Sequence, residues 1–243
     1  WKREDLPKLQ YAQRFNNIFF LHPDYQPRVF TKNTNNFSIN FFNFSTNLQF
    51  DTNMPFMRFD DMHNISITIT SSGLGNNYAT FTTSADFWTQ ADIGERIYVH
   101  NKQWVVSAVQ TARIATVYTN GLFVLPNDEL YDWYESAFSE KRGWPSCVSF
   151  HQNRLVFAGT KSAPNSIWMS KIGEYYNFDS GTGLDDEAIY VVLLSAQHHQ
   201  ICTLVSSDKL QILTSVGEWA ISNSPLTPSN VDIKQHTSIG SSA

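Results

Sequence analysis

The stretch FDSGTGLDDEAI, residues 178 to 189, sets four carboxylates, Asp179, Asp185, Asp186 and Glu187, around Gly181 and Gly183. Acids this close could hold a hard cation or act as a general acid and base. A calcium loop would need alternating acids in the order D-x-[DN]-x-[DN]-G with a closing Glu, and DSGTGLDDE lacks that order. A glycosidase would need two carboxyls at a fixed separation across a cleft, whereas the adjacent Asp185 and Asp186 on an extended chain point to opposite sides. Glycines that free the backbone, with short acids that accept from backbone N–H groups, describe a tight turn. Gly181, Gly183, Asp185 and Asp186 are therefore expected to shape and cap a turn that enters the strand IYVVLL, residues 189 to 194.

The remaining chemistry is scattered. His198 and His199 are adjacent but lack a third ligand at useful spacing, and His22, His63, His100, His151 and His236 form no HExxH or HxH pattern. Neither GxSxG nor a P-loop occurs, and GLGNNY, residues 73 to 78, lacks the third glycine of a dinucleotide fingerprint and reads as a hairpin turn. Cys147 and Cys202 stand 55 positions apart with no CxxC pair, which excludes a disulfide scaffold and a structural zinc site and leaves two small buried hydrophobes. The N-x-S/T sequons at Asn36, Asn43 and Asn64 fall in an Asn-rich chain and read as chance. No catalytic, cofactor or metal residues are assigned.

The elements that must position these residues are strands. Of 243 residues, 16% are charged and 14% aromatic, with a polar remainder rich in Asn, Ser and Thr, a mixture that favours strands and turns over helices. The longest apolar runs are strand-sized, short of the roughly 20 residues of a membrane helix, so no membrane span is expected. A net charge of -5 argues against a broad basic surface for gripping nucleic acid. The chain opens on Trp1 and closes on GSSA, and both ends read as cut from a longer protein.

Two segments align when stacked. CVSFHQNRLVFAGTKSAPNSIWMSK (147 to 171) and ICTLVSSDKLQILTSVGEWAIS (201 to 222) each give strand, turn, strand, loop, strand, with Leu155 matching Leu210 and Trp168 matching Trp219. A weaker third copy spans residues 9 to 32. A period near 50 residues with three or four short strands marks propeller blades, whose faces must be covered by neighbours. Residues 35 to 130 break the period with alternating strands and read as an inserted small β-sandwich or barrel, flanked by blade parts at 1 to 34 and 131 to 243. At the end of the stretch that breaks the period, Asp128 to Phe138 reads as a short helix capped by Asn127. The fold class is all-β: partial propeller blades interrupted by a β-module.

The stretch GWPSCVSFHQNRLVFAGTKSAPNSIWMSKIGEYYNFDSGTGLDDEAI, followed by KLQILTSVGEWAIS and LTPSNVDIKQHTSIGS, resembles the tail nozzle proteins of short-tailed bacteriophages, also called tail tubular protein B or tail hub proteins. AQRFNNIFFLHPDYQPRVFTK and ADIGERIYVHNKQWVVSAV fit that family's opening and its inserted module. The resemblance implies a non-enzymatic virion protein, assembled in the host cytoplasm into a ring, a hexamer, below the portal and adaptor. It further implies contact with tail fibre proteins and a transient, non-specific passage of viral DNA.

A competing reading starts from TSVGEW, residues 214 to 219, which shares Ser215, Gly217 and Trp219 with the Asp-box turn of sialidase-like propellers but lacks its Asp. Together with Trp88, Trp104 and Trp133 exposed on loops, it would give a glycan-binding or glycan-cleaving propeller. That site would also need clustered arginines or paired acids, and Arg96, Arg113, Arg142 and Arg154 are scattered.

Overall fold

The computed structural model describes residues 1–73, 75, 77–126, 128–194 and 198–241. The chain is all-β, with four antiparallel sheets among the described residues. In chain order the strands are β1 (Gln10–Arg14), β2 (Asn17–His22), β3 (Tyr25–Lys32), β4 (Phe37–Phe41), β5 (Phe56–Met57), β6 (Ile67–Ser71), β7 (Tyr78–Thr83), β8 (Arg96–Val99), β9 (Lys102–Thr111) and β10 (Ile114–Thr119). They continue as β11 (Trp133–Ser136), β12 (Cys147–His151), β13 (Arg154–Ala158), β14 (Ser166–Met169), β15 (Ile189–Val192), β16 (Ile201–Ser206), β17 (Leu210–Thr214), β18 (Gly217–Ile221) and β19 (Ile233–Thr237). The chain divides into two compact units, Trp1–Ser45 with Arg142–Ala243, and Thr46–Lys141.

The first unit holds three four-stranded meanders, β1 to β4, β12 to β15 and β16 to β19, each hydrogen-bonded in sequence order. These are the blades. In the first two, a two-residue turn joins the opening strands, with Phe15 in one and Gln152 and Asn153 in the other at positive φ, which matches the right-handed twist of a tight hairpin. The opening strands converge, with β12 packed beside both β1 and β16. Gln10 Nε2 on β1 donates to the Cys202 carbonyl on β16 at 2.7 Å.

Blade two has one face toward blade one and the other toward blade three, because successive residues of a strand point to opposite sides. Blade one meets blade two through rings: Phe42 lies 5.2 Å from Phe157 and 6.4 Å from Phe178, and Phe19 lies 5.5 Å from Phe150. Blade two meets blade three through aliphatic side chains, with Val156, Ala158, Ile167 and Met169 in one buried cluster with Leu210, Ile212 and Trp219. The two cysteines are buried in this first unit.

The second unit is a seven-stranded curled half-barrel in the order β5-β11-β8-β9-β10-β7-β6. Alternation along β7, β9 and β10 buries Phe81, Trp104, Val106, Ala115 and Val117 on one side of the sheet. Two boundaries differ from the sequence reading of 35 and 130. FSINF, whose alternation suggested the module, is β4, the closing strand of blade one. DELYDWYESAF is not a helix: WYES forms β11 between β5 and β8, because Trp133 gains a buried site and a hydrogen bond from Nε1 to the Ile65 carbonyl at 2.7 Å. The cap expected at Asn127, and part of the turn at 73 to 78, lie outside the described residues.

Candidate functional site

The acid-rich loop joins β14 to β15, and its chemistry is spent on its own backbone. Glu187 turns back so that Oε2 accepts the N–H groups of Thr182, Gly183 and Leu184 at 2.8, 2.6 and 2.7 Å. Asp179 Oδ1 accepts the Gly181 N–H at 3.1 Å. A run of N–H groups converging on one anion is a nest, here filled from within. Gly181 and Gly183 both have positive φ, and a Cβ at Gly181 would run into the Glu187 carboxylate.

The caps are thus Glu187 and Asp179, not Asp185 and Asp186. The physical reason is reach: the longer Glu187 side chain spans three residues of backbone. Asp186 instead faces Lys171, with Nζ at 3.2 Å, and that contact raises the lysine's pKa. Asp185 offers only its carbonyl, which accepts from Arg154 Nη2 at 2.9 Å.

Arg154 is the loop's anchor. It sits on β13 at 0% exposure, and its guanidinium donates to the carbonyls of Ser170 at 2.8 Å, Glu187 at 2.5 Å and Asp185 at 2.9 Å, with Leu226 of blade three at 3.4 Å. Burial pulls its pKa below the usual arginine value, and nearby Asp186 opposes that shift. A planar cation with five donors suits a cage of carbonyls, and only such a cage makes its burial tolerable. Leu155, Trp168, Leu210 and Trp219 are all buried, and His199 stacks on Trp219 with centroids 5.9 Å apart.

Two groupings were not foreseen from sequence. On β12, buried His151 shares a 2.9 Å hydrogen bond between Nδ1 and Ser206 Oγ on β16, and burial lowers its pKa. Its Nε2 faces the Gln152 amide at 3.5 Å, so an amide stands where a serine hydrolase would place an orienting acid.

The other grouping lies in the half-barrel. Lys141 Nζ sits 3.0 Å from Glu135 Oε1, 3.4 Å from Asp92 Oδ1 and 3.5 Å from the centre of the Phe87 ring. Asp92 also accepts from Thr89 N and Oγ1 at 2.7 and 2.8 Å. Neighbouring Glu95 has its carboxyl pushed up to about 7, first by burial and then by the charges of Asp92, Glu135 and Glu140. Nothing in the spacing of residues 92, 95, 135 and 141 announces this cluster, since the half-barrel's pairing of β11 with β8 brings it together.

Among the described residues, no group of three or more His, Cys, Asp or Glu side chains could hold a metal ion. Trp88, Trp104 and Trp133, expected on exposed loops, are instead buried in the half-barrel, where their apolar area carries the core. Arg113 pairs with Asp86 at 2.6 Å, and Arg142 and Arg154 are buried, so these three arginines are not offered together to a sugar. No family model matches the chain, and no curated protein matches it significantly.

Proposed function

We propose that this chain is a structural, non-enzymatic subunit of a phage tail nozzle or hub, built into a homo-oligomeric ring, a hexamer, through which viral DNA leaves the particle. The observation that carries this reading is the use of the acid-rich loop. Glu187 and Asp179 hold backbone N–H groups of the loop and Arg154 holds carbonyls of blade two and of blade three, which favours fixing the succession of blades over turning over a substrate. The residues that resemble the nozzle family lie chiefly on β12 to β19, with shorter stretches on β1 to β3 and on β8 and β9, and that resemblance supports the same reading. A net charge of -5 suits a channel past which a phosphate backbone slides without being held. Portal, adaptor and tail fibre proteins are the partners this reading implies, with the virion tail as the final location and the host cytoplasm as the place of assembly.

The test is immunogold labelling of short-tailed particles whose genome encodes this sequence. Gold is expected at the tail below the head, and gold elsewhere would end the proposal. The glycan-cleaving alternative has one favourable observation, the raised Glu95 carboxyl beside Asp92, Glu135 and Glu140, a setting that catalytic acids share. Hydrolysis of a bacterial surface polysaccharide by the protein, lost in Glu95→Gln, would establish that alternative.

A further inference from the structure

Asn120 and Gly121 follow β10 in the half-barrel unit, at the one place in the sequence where Asn is followed directly by Gly. Both are exposed, and Gly121 has φ +76° with open space where a Cβ would stand. With no side chain to crowd it, the Gly121 nitrogen can approach the side-chain carbonyl carbon of Asn120. Among the described residues the Asn120 side chain has one tie, from Nδ2 to the Phe50 carbonyl at 3.0 Å, and the Gly121 N–H has none.

Asn165 and Asn223, each followed by Ser, make the contrast. Asn165 donates to the Leu193 carbonyl at 3.0 Å, and the N–H of buried Ser166 is held by the Ala163 carbonyl at 3.3 Å. Asn223 is held at both ends of its amide, by the Asp232 N–H at 2.7 Å and by Asn230 Oδ1 at 2.8 Å.

A charge also stands beside Asn120. Lys102 Nζ, at the start of β9, donates to the Asn120 backbone carbonyl at 3.3 Å. That oxygen and the Gly121 nitrogen share one conjugated peptide unit. A cation on the oxygen therefore stabilises the negative charge that spreads over both atoms when the N–H is lost.

We propose that Asn120 is a self-modification site, at which the chain converts this amide to an acid and Lys102 promotes the step. The Gly121 nitrogen gives its proton to hydroxide and bonds to Cγ of Asn120. The Cγ–Nδ2 bond then breaks, and ammonia leaves with a proton taken from water. Water opens the resulting cyclic imide at one of its two carbonyl carbons, giving Asp or, where the backbone C–N bond breaks, isoaspartate with the chain routed through Cγ. Nothing is oxidised or reduced, and water is the only reactant consumed. The new carboxylate cannot donate to the Phe50 carbonyl, so the loop closed by the Thr46–Thr52 bridge loses that tie.

The experiment is peptide mapping by mass spectrometry of the full 243-residue chain held for days at mildly alkaline pH, with isoaspartate scored by enzymatic methylation. Asn120 is expected to convert ahead of Asn165 and Asn223, and Asn120→Gln, which would have to close a larger ring, is expected to stay intact at that position. Lys102→Gln is expected to slow conversion severalfold in the folded chain and to have no effect in urea, where the two residues are no longer brought together. Circular dichroism verifies the fold of that variant, and molar salt, which screens the cation, should slow the unmodified chain in the same way. Chymotrypsin should cut after Phe50 faster in Asn120→Asp than in the unmodified chain. An Asn120 that stays an amide, or that converts no faster than Asn165 and Asn223, overturns the proposal. So does an equal rate in the folded Lys102→Gln chain, and unchanged cleavage after Phe50 overturns the loss of the loop's tie.

Discussion

Glu187 holds three backbone N–H groups with one oxygen, and Arg154 holds five carbonyls with one guanidinium. Removing either leaves several groups to find water or go unpaired, at about 1 to 3 kcal/mol for each that stays buried. Glu187→Ala is therefore expected to lower the urea midpoint clearly, while Asp185→Ala with Asp186→Ala moves it little, since those side chains contribute a half-exposed ion pair at most. Equal losses from the two variants would refute the assignment of the cap. Millimolar calcium should leave the melting temperature of the unmodified protein unchanged, because an ion stabilises only the state that binds it. That the loop is a turn could be read from its glycines. Which acid caps it could not, because the choice depends on where a longer side chain folds back. Arg154 left a fainter trace: a lone cation inside the apolar run RLVFAG is buried only if backbone carbonyls receive it.

The blades were legible as elements because each carries its own signal of short apolar strands separated by polar turns, and the match of Leu155 with Leu210 and of Trp168 with Trp219 places each pair at equivalent register positions. Trp219→Ala removes a buried ring from the cluster shared by blades two and three, and Trp168→Ala removes a buried ring that stacks on Tyr190 within blade two; each should cost on the order of 3 to 5 kcal/mol in chemical denaturation. A loss of sugar binding at unchanged stability would instead favour a lectin. The strands misassigned from sequence are those whose partners are remote. FSINF alternates like any half-buried strand, and only its pairing with β3 decides that it closes blade one. WYES carries the apolar spacing of a short helix, and the tertiary site of Trp133 overrides that local preference. Trp88 and Trp104 were misread for the same reason, since nothing local distinguishes an aromatic on a loop from one that a curled sheet folds over.

At the scale of the molecule, the two compact units carry titrating groups whose effects on stability have opposite signs. Glu95 belongs to the half-barrel unit, and its folded carboxyl, at about 7, lies above its ordinary value of 4.5. Between those values the folded unit holds a proton that the unfolded chain has released, so the half-barrel loses stability as pH rises through that window. Glu95→Gln keeps a neutral group in place and should stabilise this unit at pH 8 by on the order of 2 kcal/mol, with little effect near pH 4. His151 belongs to the blade unit, and burial holds its folded pKa below the ordinary 6.5. Its unfolded form takes up a proton first, so the blade unit loses stability as pH falls below 6.5, and His151→Gln should flatten that slope. Calorimetry of the whole chain at pH 5 and pH 8 is expected to resolve two transitions, with Glu95→Gln moving one and His151→Gln the other. A single transition that both substitutions shift would mean that the units unfold as one body, and the division of the chain at residues 46 and 141 would then have no energetic meaning.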